Sequence, residues 1–486
     1  MKTSNLLGSP LVALSLLCGV ASACGAVDDR PNILYCLADD WGWPHAGAYG
    51  DRVVKTPTFD RLAREGVLFT HCFSAAPSCT PSRAAMLTGQ YPHRLEQGGV
   101  LWGFLPRKYP VYPDLLEKSG YVVGSMRKGW GPGRFEEGGY ARNPAGPSFR
   151  NLEAFLKTVP RGKPFCFWFG SNDPHRPYEK DSGARAGLKA ENVVLPPYWP
   201  DNKTTRNDML DYYLEVERFD REAGEAMELL DKAGLLENTI VIMTGDNGVP
   251  FPRCKANLYD GGTRQPLAVR WPGKVKAGQV RHEFINLMDL APTLFEAAGL
   301  RPPPEMTGRS FLPLLTGQGD YRSAEAVFLE RERHANVRAG DVGYPMRAIR
   351  TPAFLYIRNF QPDRWPAGDP QAHKDPMREF GDCDDGPTKD FILQHKGEPA
   401  VQPLFELCFG KRLAEELYDL ESDPHQTRNV ASVPAYAAKK DALRARLEAW
   451  MKETADPRAV KADDDRWDKY PYFGGQPART GKSKGK

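Results

Sequence analysis

Pro31-Asn32-Ile33-Leu34-Tyr35-Cys36-Leu37-Ala38-Asp39-Asp40 is an unbroken apolar run of strand length that ends in two adjacent acids. A strand with one wet face alternates polar and apolar side chains. A run without alternation is expected where both faces are covered, as in a parallel sheet between layers of helix. The pattern recurs at 164–170 (PFCFWFG), which runs into Asn172-Asp173-Pro174-His175, and at 239–244 (TIVIMT), which runs into Asp246-Asn247-Gly248. Strands are also expected over 67–73 and 121–126, and helices over 56–66, 112–120, 148–159, 207–234 and 284–299. This alternation predicts an α/β fold, a large mixed and mainly parallel sheet flanked by helices. Residues 326–330 read as its last strand. Beyond residue 344 the segments 353–358 and 416–420 predict a smaller antiparallel sheet, with a closing helix over 434–454. The chain thus divides into a main domain (30–343), a C-terminal α+β subdomain (344–465) and a basic tail without fixed structure (466–486).

The composition is that of a globular protein: 41% hydrophobic, 26% charged, and a net charge of only +3 over 486 residues. So small a charge gives no ground for a nucleic-acid partner. Lys2, the apolar stretch 11–17 and the small residues Ala21-Ser22-Ala23 match an export signal over 1–23. The apolar stretch is short for a membrane span, and the mature protein is expected to be exported, periplasmic or secreted, without stable membrane insertion. Cys24 directly after the small residues is a candidate for lipid attachment, although Ala21 fits a lipidation signal poorly. The nine cysteines include no C-x-x-C pair, which argues against a zinc site. Export permits disulfides, and Cys383 with Cys408 is one possible pair.

Three apolar strands deliver polar groups just past their carboxyl ends, where open α/β sheets place ligands. Asp39, Asp40, Asp246 and Asn247 are all oxygen donors, a set suited to a hard cation. Calcium tolerates a carboxamide ligand and irregular geometry better than magnesium does. Cys79 lies just ahead of Pro81-Ser82-Arg83-Ala84-Ala85-Met86-Leu87, a favourable helix start whose N–H groups and dipole attract an anion. Arg83, Lys128 and Lys255 are the candidate cations for that anion. With three aspartates and a dication they leave about two positive charges, which favours an anionic substrate group.

Cys79-Thr80-Pro81-Ser82-Arg83, followed by a helix and Leu87-Thr88-Gly89, resembles the signature of the formylglycine-dependent sulfatases, a family with the alkaline-phosphatase-like fold. The resemblance implies that a separate formylglycine-generating enzyme oxidises Cys79 to an aldehyde, formylglycine (3-oxoalanine). It implies calcium on Asp39, Asp40, Asp246 and Asn247. It also implies a sulfuryl transfer in which the aldehyde hydrate, polarised by calcium and Arg83, attacks sulfur. His175 protonates the departing atom, and Lys128 and Lys255 stabilise the sulfuryl oxygens. Within the family the heparan N-sulfatase branch is the most similar in look, on Asp173-Pro174-His175-Arg176, on 246–252 (DNGVPFP), on Leu258-Tyr259 and on Tyr344-Pro345-Met346-Arg347. N-sulfoglucosamine of heparan-type glycans is therefore the expected substrate. An O-sulfatase on another sulfated polysaccharide, a phosphonate or phosphodiester hydrolase, and a non-catalytic glycan-binding relative are the alternatives. Two positions depart from the pattern: Trp130 where many sulfatases carry His, and Lys255 where the N-sulfatase branch carries Arg. His334 and His93 are candidate replacements for the missing His, and His334, Arg347 and Trp130 are candidate substrate contacts.

Overall fold

The structure, a computed structural model, describes residues 1, 28–371 and 379–475. The export signal (but for Met1), Cys24 and the chain from 476 to the basic end lie outside the described residues. The strands are β1 (Asn32–Ala38), β2 (Val67–Phe73), β3 (Val122–Arg127), β4 (Phe165–Gly170), β5 (Thr239–Gly245), β6 (Arg264–Arg270), β7 (Gln279–Asn286), β8 (Val327–Arg331), β9 (Met346–Arg350), β10 (Phe354–Asn359) and β11 (Glu415–Asp419). Seven form the large sheet, in the order β3-β4-β1-β5-β6-β2-β7. It is mixed: β3, β4, β1 and β5 are mutually parallel, β6 runs against both its neighbours, and β7 is parallel to β2. Every residue of β1, β4 and β5 is buried, as the unbroken apolar runs predict.

Alternation of side chains along β1 splits the core into two. Leu34, Cys36 and Ala38 pack on the side that holds the long helix Lys203–Lys232. Ile33, Tyr35 and Leu37 pack on the other side, with Ala84, Met86 and Leu87 of the helix Cys79–Thr88. The register pairs Ala38 with Gly245 and Leu37 with Gly170, so three strand ends align at one edge of the sheet. Asp39, Asp246 and Ser171 leave that edge side by side.

Several expectations are corrected. The segment 148–159 contains only a five-residue helix, Leu152–Leu156, capped by Asn151. The segment 284–299 is divided: its start belongs to β7, a half-exposed edge strand, and its helix is confined to Leu290–Ala297. The long helix begins at Lys203, where the Asn202 side chain accepts the Thr205 N–H, rather than at Asn207. The segment 326–330 does form a strand, but β8 pairs with β9 in the second sheet, of order β11-β10-β9-β8, and does not close the first. The second sheet thus begins upstream of residue 344. Residues 466–475 are not a loose tail: Trp467 is fully buried, and Phe473 donates its N–H to the Trp102 carbonyl. Cys383 and Cys408 are buried free thiols, like every other cysteine among the described residues.

Candidate active site

Asp39 and Asp40 follow β1, and Asp246 and Asn247 follow β5. Because the two strands are paired in parallel, the four side chains converge on a fully buried spot. The Asp40 N–H donates to Asp246 Oδ1 at 3.0 Å, and Asn247 Nδ2 donates to Asp40 Oδ1 at 2.7 Å. Asp40 holds a left-handed backbone (φ 71°), uncommon for a non-glycine residue.

Cys79 is the first helical residue rather than one preceding the helix, and Ser78 is the N-cap. The Ser78 side chain does not cap. Its hydroxyl is bonded to His334 Nδ1 at 2.8 Å, which pins the turn ahead of Cys79. The thiol points at the acids, 3.3 Å from Asp39 Oδ1 and 3.8 Å from Asp40 Oδ1. Burial and the Asp39 charge push its pKa well above that of an ordinary cysteine. Atoms of Asp39, Asp40, Asp246 and Cys79 able to ligate a metal lie within 4.8 Å of one another, and the Asn247 amide oxygen is buried with no partner among the described residues. Three carboxylates and an orphaned amide oxygen fit a hard cation, calcium among them.

The cations surround this cluster. Arg83 is fully buried: Nε donates to Asp246 Oδ2 at 2.7 Å, and NH1 donates to the Lys128 and Gly129 carbonyls, each at 2.8 Å. Lys128, just past β3, pairs with Asp39 Oδ2 at 2.5 Å. Gly170 makes room for this loop, since a Cβ there would lie 1.8 Å from the Lys128 carbonyl oxygen. Lys255 Nζ bridges Asp40 Oδ2 at 2.7 Å and Asp384 Oδ2 at 2.9 Å. Burial opposes charge on Asp39, yet Lys128, His175, Arg83 and Lys255 together hold its carboxyl far below the usual range.

Asp384 is a site residue that sequence reasoning missed. It lies in the Pro- and Asp-rich stretch before the helix Pro387–His395, with no apolar strand to announce it. Burial opposes its charge, but Lys255 and His175 keep it ionised. Adding Asp384 lowers the surplus over a bound dication from two charges to one.

His175 is held at the mouth. Its Nδ1 lies 2.5 Å from the Arg176 carbonyl, and Nε2 lies 3.8 Å from Asp40 Oδ2. Of the three candidate substrate contacts, His334 is buried behind Ser78, and burial lowers its pKa to about 4. Trp130 is buried in the loop after β3, its backbone bonded to the Asn143 side chain. Arg347 is not brought to the site at all: it is fully buried in β9, paired with Asp456 at 2.6 Å and Glu332 at 2.7 Å. His93 likewise lies elsewhere, against Glu330 at 2.9 Å and the Thr454 carbonyl at 3.2 Å.

Comparison with known proteins gives a consistent result. The sulfatase family profile matches residues 31–143 and 146–300, and a profile described as N-sulphoglucosamine sulphohydrolase, C-terminal, matches 254–393. The human N-sulphoglucosamine sulphohydrolase is 30% identical over 92% of this chain and 95% of its own length. An ulvan-active sulfatase of Formosa agariphila is 28% identical over 88% of this chain and 76% of its own. Among solved structures, a protein bound to its substrate D-glucosamine-2-N,6-O-disulfate superposes with a TM-score of 0.62 at 18% identity, over 89% of this chain and 99% of that one. A phosphonate monoester hydrolase of Agrobacterium radiobacter superposes with a TM-score of 0.60 at 18% identity, over 87% and 96%.

Proposed function

The chain belongs to the sulfatase family, and from that premise we propose that it releases inorganic sulfate from a sulfated sugar by way of formylglycine formed at Cys79, with N-sulfoglucosamine of heparan-type glycans as substrate. The observation that carries this reading is the environment of Cys79. A cysteine that acts as a thiolate sits among positive groups. Cys79 instead points its thiol at two carboxylates, and burial and Asp39 push its pKa up although Lys128 and Lys255 lie near. Its position fits a residue that reacts through oxygen after conversion, and an oxygen on its Cβ would make the surrounding ligand set wholly oxygen. Formylglycine, as its hydrate, would supply one hydroxyl to attack sulfur and a second to expel sulfate and restore the aldehyde, and calcium, which Asp39, Asp40, Asp246 and Asn247 would hold, would supply Lewis acidity.

The remaining chemistry is carried by this chain's own side chains. Arg83, with no exposed surface and with Nε and NH1 engaged, is a positioning residue that fixes Asp246 and the loop of Lys128. Lys128 and Lys255 offer ammonium groups to the equatorial oxygens of the transferring sulfuryl. His175 is oriented for proton donation. A carbonyl only accepts, so Nδ1 carries the proton in its bond to Arg176, and Nε2 is left to hold or release a proton toward the leaving atom. His334 fixes Ser78 and hence the start of the helix bearing Cys79. The match of the N-sulphoglucosamine sulphohydrolase C-terminal profile over 254–393, which spans Lys255 and Asp384, supports the N-sulfated substrate. The residues at 1–23 support export.

The test is sulfate release from N-sulfoglucosamine and from 6-O-sulfated N-acetylglucosamine, side by side, with added calcium. The protein used is one whose Cys79 peptide shows the aldehyde by mass spectrometry. Release from the N-sulfated sugar alone is expected. Release from the O-sulfated sugar alone would assign the enzyme to ester substrates and overturn the N-sulfate reading.

A further inference from the structure

The loop 249–262 has two functional faces. Lys255 points into the reaction centre, whereas Cys254, Tyr259 and Gly261 line a separate cavity of about 700 Å³ that contains none of the residues assigned to that centre. Its walls include the aromatic side chains of Trp43, Tyr49, Tyr198, Tyr213 and Tyr259, and the exposed Val194 and His425 are among its lining residues.

Its lining carries one more positive than negative side chain, with Arg52, Arg264 and Arg350 against Asp51 and Asp260. Arg350 takes both oxygens of Asp260, at 2.9 Å each. Arg264 shares the same carboxylate only at 3.6 Å. The Arg264 side chain is about nine-tenths buried, its guanidinium lies 3.5 Å from the Trp43 ring centre, and Nε and NH2 donate to the Thr70 carbonyl. NH1 is the atom that makes this 3.6 Å contact with Asp260, and it has no closer acceptor among the described residues. Burial above all lowers the Arg264 pKa to about 10, against the pull of Asp260 and with the neighbouring Arg350 adding to the fall.

Aromatic side chains offer stacking surface to the C–H face of a sugar ring, and a desolvated guanidinium whose NH1 is held only by a long ion pair can recognise sulfate or carboxylate. We propose that this cavity is a second saccharide-binding site, separate from the reaction centre, that takes a sulfated or uronic sugar unit with its anionic group on Arg264. The choice of a saccharide rests on the sulfated-glycan reading; the anion site rests on the geometry alone.

The experiment uses the full chain with Cys79→Ala, so that binding is read without turnover and independently of whether the N-sulfate assignment holds. A sulfated heparin tetrasaccharide and neutral chitotetraose are compared by titration calorimetry and by hydrogen exchange. The sulfated probe is expected to protect 43–53 and 192–199 from exchange. Adding Arg264→Gln should weaken that binding at least about tenfold, the scale of a lost charge-assisted hydrogen bond. Val194→Trp, a substitution at an exposed position that crowds the mouth without disturbing the core, should weaken it as well. Protection confined to the surroundings of residue 79, or both variants folded and binding like the parent, would overturn the proposal. Equal protection by chitotetraose would overturn the anionic requirement.

Discussion

Asp40 shows how much one residue is asked to do. Its carboxylate accepts from Asn247 and Lys255, its N–H is bonded to Asp246, and its left-handed backbone costs on the order of 1–3 kcal/mol that surrounding contacts must offset. Asp246 is held from two sides, by the Asp40 N–H and by Arg83 Nε. Asp246→Ala is expected to weaken calcium binding by more than about tenfold, measured by calorimetry on the chelator-treated protein; unchanged affinity would remove Asp246 from the ligand set. Cys79→Ala is expected to abolish sulfate release while thermal unfolding stays close to that of the parent, because a small apolar group replaces another small buried one. Full activity in that variant would end the formylglycine reading. The acids and lysines of this centre were legible because each follows a strand or sits in a motif. Asp384 was not, because its partner Lys255 lies 129 positions away and only chain return joins them.

At the scale of elements, burial on both faces was readable from unbroken apolar runs, and β1, β4 and β5 form where those runs stand. Edge elements were harder. The part of β7 read as helix, 284–286, is its buried end, a stretch too short to tell strand from helix, and β8 reads as a strand but nothing local names its sheet. Contacts between helices were also hidden. The helix Pro57–Glu65 has no side-chain cap of its own from Thr56; Asp220 of the long helix accepts the N–H groups of Thr58 and Phe59, at 2.9 and 2.8 Å. Asp220→Ala is expected to destabilise the protein by about 1–3 kcal/mol in denaturant unfolding, through two unsatisfied donors at a helix start. A loss within error would show that water replaces the carboxylate.

At the scale of the whole molecule, a buried ion cluster away from the candidate site ties together segments distant in sequence. Glu330 and Glu332 (around the end of β8) and Asp456 meet Arg347, Arg458 and His93. Both ring nitrogens of His93 face acceptors, Glu330 and the Thr454 carbonyl, so the imidazolium form satisfies them and balances three negative charges with three positive. Burial opposes that charge, but Glu330 raises the pKa above 6.5. A folded-state pKa above the unfolded one gives stability that is complete below 6.5 and is lost as pH rises through the raised value. The Tm difference between the parent and His93→Gln should therefore shrink as pH rises above 6.5; a difference independent of pH would mean that His93 is neutral in the fold. The C-terminal segment seals this cluster. Trp467, with the Arg458 guanidinium 4.9 Å from its ring centre, is fully buried, and Trp467→Ala is expected to cost about 3–5 kcal/mol, seen as a lowered denaturation midpoint. A change under about 1 kcal/mol would mean that the segment packs without contributing stability.

What belongs to the sequence by itself is local: the apolar runs that make buried strands, the acids placed at their ends, and the helix start that carries Cys79. These follow from side-chain periodicity and backbone preference, which act over a few residues. Tertiary structure alone decided that Arg347 serves an ion cluster rather than the reaction centre, that Asp384 joins Lys255, that β8 belongs to the second sheet, and that the segment from 466 to 475 packs instead of trailing. Each depends on which distant charges and surfaces share one low-dielectric interior, and no local pattern encodes that pairing.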